Sequence, residues 1–95
     1  MIRFFRDRDT ERLAARERVK RFQAKRFKAI EDPAREKLKI LDTAQSLKDL
    51  SLPGLGLEKL KGARAGQHSI RVNFQYRLCF RWKDGPCDVE LIDYH

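Results

Sequence analysis

From Ser69 to Trp82 every even position is apolar (Ile70, Val72, Phe74, Tyr76, Leu78, Phe80, Trp82), and the odd positions hold Ser69, Arg71, Asn73, Gln75, Arg77, Cys79 and Arg81. A period of two sustained over such a run is the signature of β-strand with one buried face. An unbroken strand of this length would span about 46 Å, too far for a small domain, so a turn must interrupt it. A turn at Asn73-Phe74-Gln75 preserves the alternation, because a loop with an odd number of residues returns the same face. The even positions from Ile70 to Trp82 are therefore assigned to the core. The same register sets Arg71 opposite Arg77. Like charges facing each other across a ladder are destabilising unless an anion lies between them, and a phosphate fits that requirement.

The flanking sequence supplies the other elements. Residues 2–6, IRFFR, read as a short strand, and Asp9 or Thr10 is placed to cap a helix beginning near Glu11. Leu13, Ala14, Val19, Phe22, Phe27 and Ile30 recur at helical spacing, which predicts helix from about 10 to 30 with at most one break. Asp32-Pro33 has the form of a cap followed by proline at the first helical position, so a second helix is expected over about 33–44 on the apolar face of Leu38, Leu41 and Ala44. SLKDL offers one more helical turn, and SLPGLGL is a breaker-rich loop. KDGPC carries the Asp-Gly hairpin signal and leads into a last strand, DVELIDYH. Strand, helices and then antiparallel strands define an α+β domain, with the N-terminal helices on one face of a small antiparallel sheet.

Ninety-five residues suffice for one domain, 1–95, with a single core. No apolar run approaches the length of a membrane span, and MIRFFRDRDTERL places charges where a secretory signal needs an apolar stretch, so a cytoplasmic location is expected. Cys79 and Cys87 lack metal-ligand spacing, and Cys79 falls in the strand pattern as a packed thiol. The net charge is +8, and Arg16 to Lys28 contain seven Lys/Arg against the single acid Glu17. Such a field recruits polyanions, nucleic acid first. His68 and His95 make a poor zinc set, and PGLG has neither the lysine nor the context of a phosphate-binding loop, so neither metal nor cofactor is expected.

What remains suits a phosphodiester. Arg71 and Arg77, with Lys61 and Arg64 near them, can meet phosphate charge, while Asp93, Tyr94 and His95 can move protons and touch bases. RNA cleavage needs only a proton acceptor for the 2′-hydroxyl, a donor for the leaving oxygen and cations for the developing charge. Histidine titrates closest to neutrality, and Asp93, on the same side of an extended strand as His95, can orient its ring; Tyr94 points the other way unless the strand has ended. From periodicity and charge alone, a basic α+β binding domain stands ahead of a nuclease.

A longer pattern shifts that balance. LEKLKGARAGQHSIRVNFQYRLCFRW followed by DVELIDYH resembles the HigB-type, or plasmid-killer, toxins of the RelE/ParE superfamily, and KLKILDTAQSLKDL looks like that family's second helix and the turn after it. The resemblance is dense from Leu38 to His95 and thin before Asp32. It implies a RelE/microbial-RNase-like fold and a toxin of a type II toxin–antitoxin system. The implied activity is metal-independent cleavage of mRNA on the translating ribosome, which inhibits translation and is neutralised by a HigA-like antitoxin. The toxin itself would be monomeric, with higher assembly through the antitoxin. The family's catalytic positions correspond to Lys61, Arg77, Asp93, Tyr94 and His95, and its RNA contacts to Gln75, with Arg64 and Arg71 as supporting cations. Glu58 departs from the pattern, since some relatives carry histidine there and a carboxylate repels phosphate. Phe74 and Tyr76 depart too, standing where a polar residue and tryptophan are common. A rival class is a ParE-like toxin without nuclease activity, or a plain nucleic-acid-binding module; neither needs His95.

Overall fold

A computed structural model describes residues 1–20 and 25–93, with no account of the side chains of 25–28. Two helices, α1 (Arg8–Ala14) and α2 (Lys25–Thr43), precede a four-stranded sheet in the order β1 (Glu58–Lys59), β2 (His68–Arg71), β3 (Tyr76–Trp82), β4 (Pro86–Asp93). All neighbouring strands are antiparallel. The architecture is the expected α+β arrangement, with short 3₁₀ turns at Leu47–Leu50, within the SLKDL segment, and at Gly62–Arg64.

The helices start and stop differently from the sequence-based expectation, and each difference has a physical cause. Asp7, not Asp9 or Thr10, caps α1, its Oδ2 accepting from Thr10 N at 3.0 Å. That frees the Thr10 hydroxyl to accept from Leu91 N at 3.1 Å, satisfying a buried amide on the outer edge of β4. The expected helix over 10–30 is broken after Ala14, where Arg16 adopts φ 61°, a left-handed conformation that ends a helix. Arg35 caps that end by donating to the carbonyls of Leu13 (3.1 Å) and Glu17 (3.4 Å). Phe22 and the side chain of Phe27 lie outside the described residues.

Pro33 does not begin a helix. It sits inside α2, which runs through it from Lys25. Interior proline removes one hydrogen bond and disfavours helix by about 3 kcal/mol. Here the acceptor that loses its partner is the carbonyl of Ala29, an exposed residue. Against that cost stands a seam that continues across the proline: Ile30, Ala34, Leu38 and Leu41, all buried on one side. Tertiary burial outweighs local preference.

The β2–β3 register is the one the alternation requires. Arg71 pairs with Arg77, and Val72 N donates to Tyr76 O at 2.9 Å, leaving Asn73, Phe74 and Gln75 as the turn. Ile70, Leu78 and Phe80 are fully buried with Val72 and Tyr76 close behind, and they pack with Leu13, Ile30, Leu38, Leu41, Val89 and Leu91 into one core. Trp82 is half-buried at its edge. Phe74 is the exception among the even positions: it crowns the turn, 92% exposed, because a turn residue has no sheet face to join. The Asp-Gly hairpin joins β3 to β4 as expected, with Trp82 opposite Pro86 and Asp84 at φ 56°. A register shift between Cys79 and Arg81, where Asp88 takes φ 51°, makes a bulge in β4. The first strand is reduced to a single parallel bridge, Phe5 to Val89, flanked by Arg3 N→Pro86 O (2.8 Å) and Arg6 N→Val89 O (2.9 Å).

Candidate functional site

The face of the sheet turned away from the helices is not the open cationic surface that the odd positions suggest. Ser69, Arg77 and Cys79 on it are buried, and the chain on either side of β1 reaches over that side, Gly56 to Arg77 and Arg64 to Glu90, the residue opposite Cys79. Gly56, at φ +57°, turns its carbonyl onto Arg77 Nη2 and passes close enough that a Cβ would lie 3.6 Å from that nitrogen and 3.7 Å from Arg71 Cβ. Glycine is suited to such a left-handed approach.

Arg77 is the organiser of this region. Its Nε donates to Ser69 Oγ at 2.8 Å, its Nη2 to the carbonyls of Gly56 and Ser69, and its Nη1 lies 3.7 Å from a Glu58 carboxylate oxygen. Glu58 reaches it from β1 because Glu58 pairs with Ser69, the residue diagonal to Arg77 across β2. The anion expected between the two arginines is thus in part an internal one: the carboxylate read from sequence as a departure. Its side chain is 53% exposed while that of Arg77 is 8% exposed. Arg71 is exposed, and with Glu58, Asn73, Phe74 and Arg77 it lines an open cavity of ≈ 400 Å³.

A second cavity, of ≈ 320 Å³, opens on the other side of the same turn, lined by Ala29, Ile30, Asn73, Phe74, Gln75, Tyr76 and Asp93. Asp93 pairs with Tyr76 whereas Arg77 pairs with Ile92. Adjacent strand residues face opposite ways, so the Asp93 carboxylate leaves the sheet on the helix side and the Arg77 guanidinium on the other. Gln75 Nε2 donates to Asp93 Oδ2 at 3.1 Å, tying the turn to the end of β4. Tyr94 and His95 lie outside the described residues.

The sequence-derived residues therefore divide. Arg71 and Arg77 share one cavity, and Gln75 and Asp93 share the other, with Asn73 and Phe74 lining both. Lys61 is exposed on the β1–β2 connection and lines neither cavity. Arg64 is committed elsewhere: its Nη1 donates to Glu90 Oε1 at 2.7 Å and to Gln67 Oε1 at 3.0 Å. Glu90 faces Cys79 across β3–β4, and burial pushes the Cys79 thiol up to about 11, with Glu90 pushing the same way and Arg64 and Arg77 opposing. An unreactive packed thiol is the result. His68 pairs with Phe80 across β2–β3, the rings stacked at 6.1 Å; burial, and then Lys59, lower its pKa from the ordinary 6.5. Among the described residues no group of three His, Cys, Asp or Glu could hold a metal ion, and no helix is long and apolar enough to cross a membrane. Sequence reasoning undervalued Glu58 and misassigned Phe74. The signal for Glu58 was its place near the start of a two-residue strand too short to show any period.

Two helices over an antiparallel sheet, with Arg71 and Arg77 paired beside the β2–β3 turn, form a RelE-like toxin fold. The YoeB–YefM complex from Staphylococcus aureus shares it, with a TM-score of 0.61 at 24% identity over 100% of this chain and 95% of that one. The chain belongs to the HigB-like toxins: the family model described as "RelE-like toxin of type II toxin-antitoxin system HigB" matches residues 1–95. It is also 47% identical over 68 residues to Toxin HigB-1 of Vibrio cholerae serotype O1 (strain ATCC 39315 / El Tor Inaba N16961), across 70% of this chain and 72% of that relative.

Proposed function

We propose that this toxin is a ribosome-dependent mRNA endonuclease that acts in the cytoplasm and is silenced by a HigA-like antitoxin. The observation that carries the reading is the cavity beside the β2–β3 turn, where two arginines stand opposite each other in the ladder and one of them, Arg77, is held from several directions. A guanidinium already fixed by Ser69 and Gly56 needs no reorganisation when a phosphate arrives, which is how preorganised donors stabilise a developing charge. Exposed Arg71 completes a two-sided clamp on the scissile phosphate.

The RNA 2′-hydroxyl supplies the nucleophile, so no step is routed through a metal. Glu58, which lines the same cavity, is suited to accept the 2′-hydroxyl proton; contact with Arg77 keeps its charge tolerable beside a phosphate. We assign the complementary general acid or base role to His95, its positioning to Asp93, which is tied to Gln75 at the end of β4, and a base contact to Tyr94, while Lys61 and Arg64 add to the field that draws in the RNA. Gln75, anchored on Asp93, stands at the rim where a neighbouring nucleotide would pass. The net charge of +8 suits both the ribosome and an antitoxin with acidic patches.

The test is mRNA cleavage in a translating extract by wild type, His95→Gln and Glu58→Gln. Loss of a general acid or base should slow cleavage by about 10²–10⁴-fold. A His95→Gln variant as active as wild type removes this role for the tail, and an inactive wild type removes the nuclease and leaves a ParE-like toxin or a binding module. Co-purification with the product of the neighbouring reading frame checks the antitoxin.

A further inference from the structure

We propose that Phe74 is a stacking platform for a nucleobase of single-stranded RNA, set beside the arginine cavity to hold the base adjoining the clamped phosphate. The inference rests on the nuclease reading above and extends it to a residue at which this chain departs from the common pattern.

Phe74 is 92% exposed at the tip of the β2–β3 turn, and its ring contributes nothing to the core that claims the other even positions of the run. The turn that carries it is nevertheless firmly built. Asn73 Oδ1 accepts from both Gln75 N (2.8 Å) and Tyr76 N (2.7 Å), and Val72 N closes the ladder onto Tyr76 O (2.9 Å). A ring on a turn fixed by its own hydrogen bonds loses little freedom when something stacks on it.

What stacks there is decided by the surroundings. Phe74 lines both cavities that flank the turn, one holding the guanidinium groups of Arg71 and Arg77 and the other ending at Gln75 and Asp93. A cationic groove punctuated by an aromatic ring is the arrangement that binds single-stranded nucleic acid, the backbone following the charge and a base lying on the ring. Its neighbours in the turn are Asn73 and Gln75, Ala29, Ile30 and Tyr76 join it in the second cavity, and among the described residues the other large exposed apolar side chains, Met1, Phe4 and Leu52, line neither cavity.

The experiment compares wild type, Phe74→Ala and Phe74→Trp for the rate and positions of mRNA cleavage in a translating extract, alongside thermal melting and co-purification with the antitoxin. Phe74→Ala should melt as wild type does, since the ring is exposed, and cleave about tenfold more slowly, the scale of one lost base–aromatic stack. Phe74→Trp should match or exceed wild type. Equal rates and cut sites for wild type and Phe74→Ala overturn the platform while leaving the nuclease intact, and equal losses in both variants overturn it too, because an indole stacks at least as well. Phe74→Ala that cleaves normally but no longer co-purifies assigns the ring to the protein partner instead. A wild type that does not cleave overturns the underlying reading, a result distinct from all of these.

Discussion

The two faces of the sheet are built from the same strands by opposite means. Toward the helices, Ile70, Leu78, Phe80, Val89 and Leu91 interlock with Leu13, Ile30, Leu38 and Leu41, and burial of apolar area is the main adhesive. On the far side Ser69, Arg77 and Cys79 are buried beside directed hydrogen bonds to the segment before β1 and carboxylates that pair with the arginines. An apolar face tolerates exchange among residues of similar volume. A polar one is specified atom by atom, because any donor left without a partner there loses its hydration for nothing. That teaches how a buried guanidinium is kept in a small domain: the far face holds Arg77 at a set position by directed bonds, and the near face supplies the stability that offsets its desolvation.

The comparison can be broken most sharply at Phe80, fully buried on the helix side. Phe80→Ala should destabilise the fold by about 3–5 kcal/mol, read as a lower denaturation midpoint. An effect below about 1 kcal/mol would show that the near face is not the principal source of stability. On the far face the Cys79 thiol provides a titration. Its pKa rises from 9.0 toward about 11 on folding, so the folded chain keeps a proton that the unfolded chain has lost. Stability should therefore be intact below pH 9.0 and fall between pH 9.0 and about 11, with this thiol contributing a slope of up to about 1.4 kcal/mol per pH unit. Cys79→Ala should flatten the slope by that amount; identical alkaline slopes would contradict burial as its cause. The smallest effect belongs to Arg64, whose side chain is 34% exposed and bonded to Glu90. Arg64→Gln should cost at most about 1 kcal/mol of stability and weaken with added salt, as partly solvated ion pairs do. A larger, salt-independent loss would promote that pair to part of the far-face framework.

Sequence legibility followed the same division. The alternation from Ile70 to Trp82 located the near face, the turn and the Arg71–Arg77 pairing, because a period of two is a local property that each residue carries. It erred at Phe74, where the parity held but the sheet had ended. Helix limits were less legible: Pro33 reads locally as a start, and only the continuous Ile30–Leu41 seam, facing strands far away in the chain, carries the helix through it. Of the site, the two arginines could be paired in advance, whereas Glu58 could not be set against Arg77, nor Asp93 separated from it, without knowing which strands adjoin.

By itself the amino-acid order determined the α+β class, the hairpins, the parity of the strands, the net charge and the family motif, since each is written in neighbouring residues. The tertiary structure alone decided that Gly56 and Arg64, on either side of β1, reach over the far face, that Arg77 is anchored there with Glu58 at its side, and that Phe74 stands clear of the core. Those outcomes depend on contacts between residues distant in the chain, whose energies exist only once the backbone has brought them together.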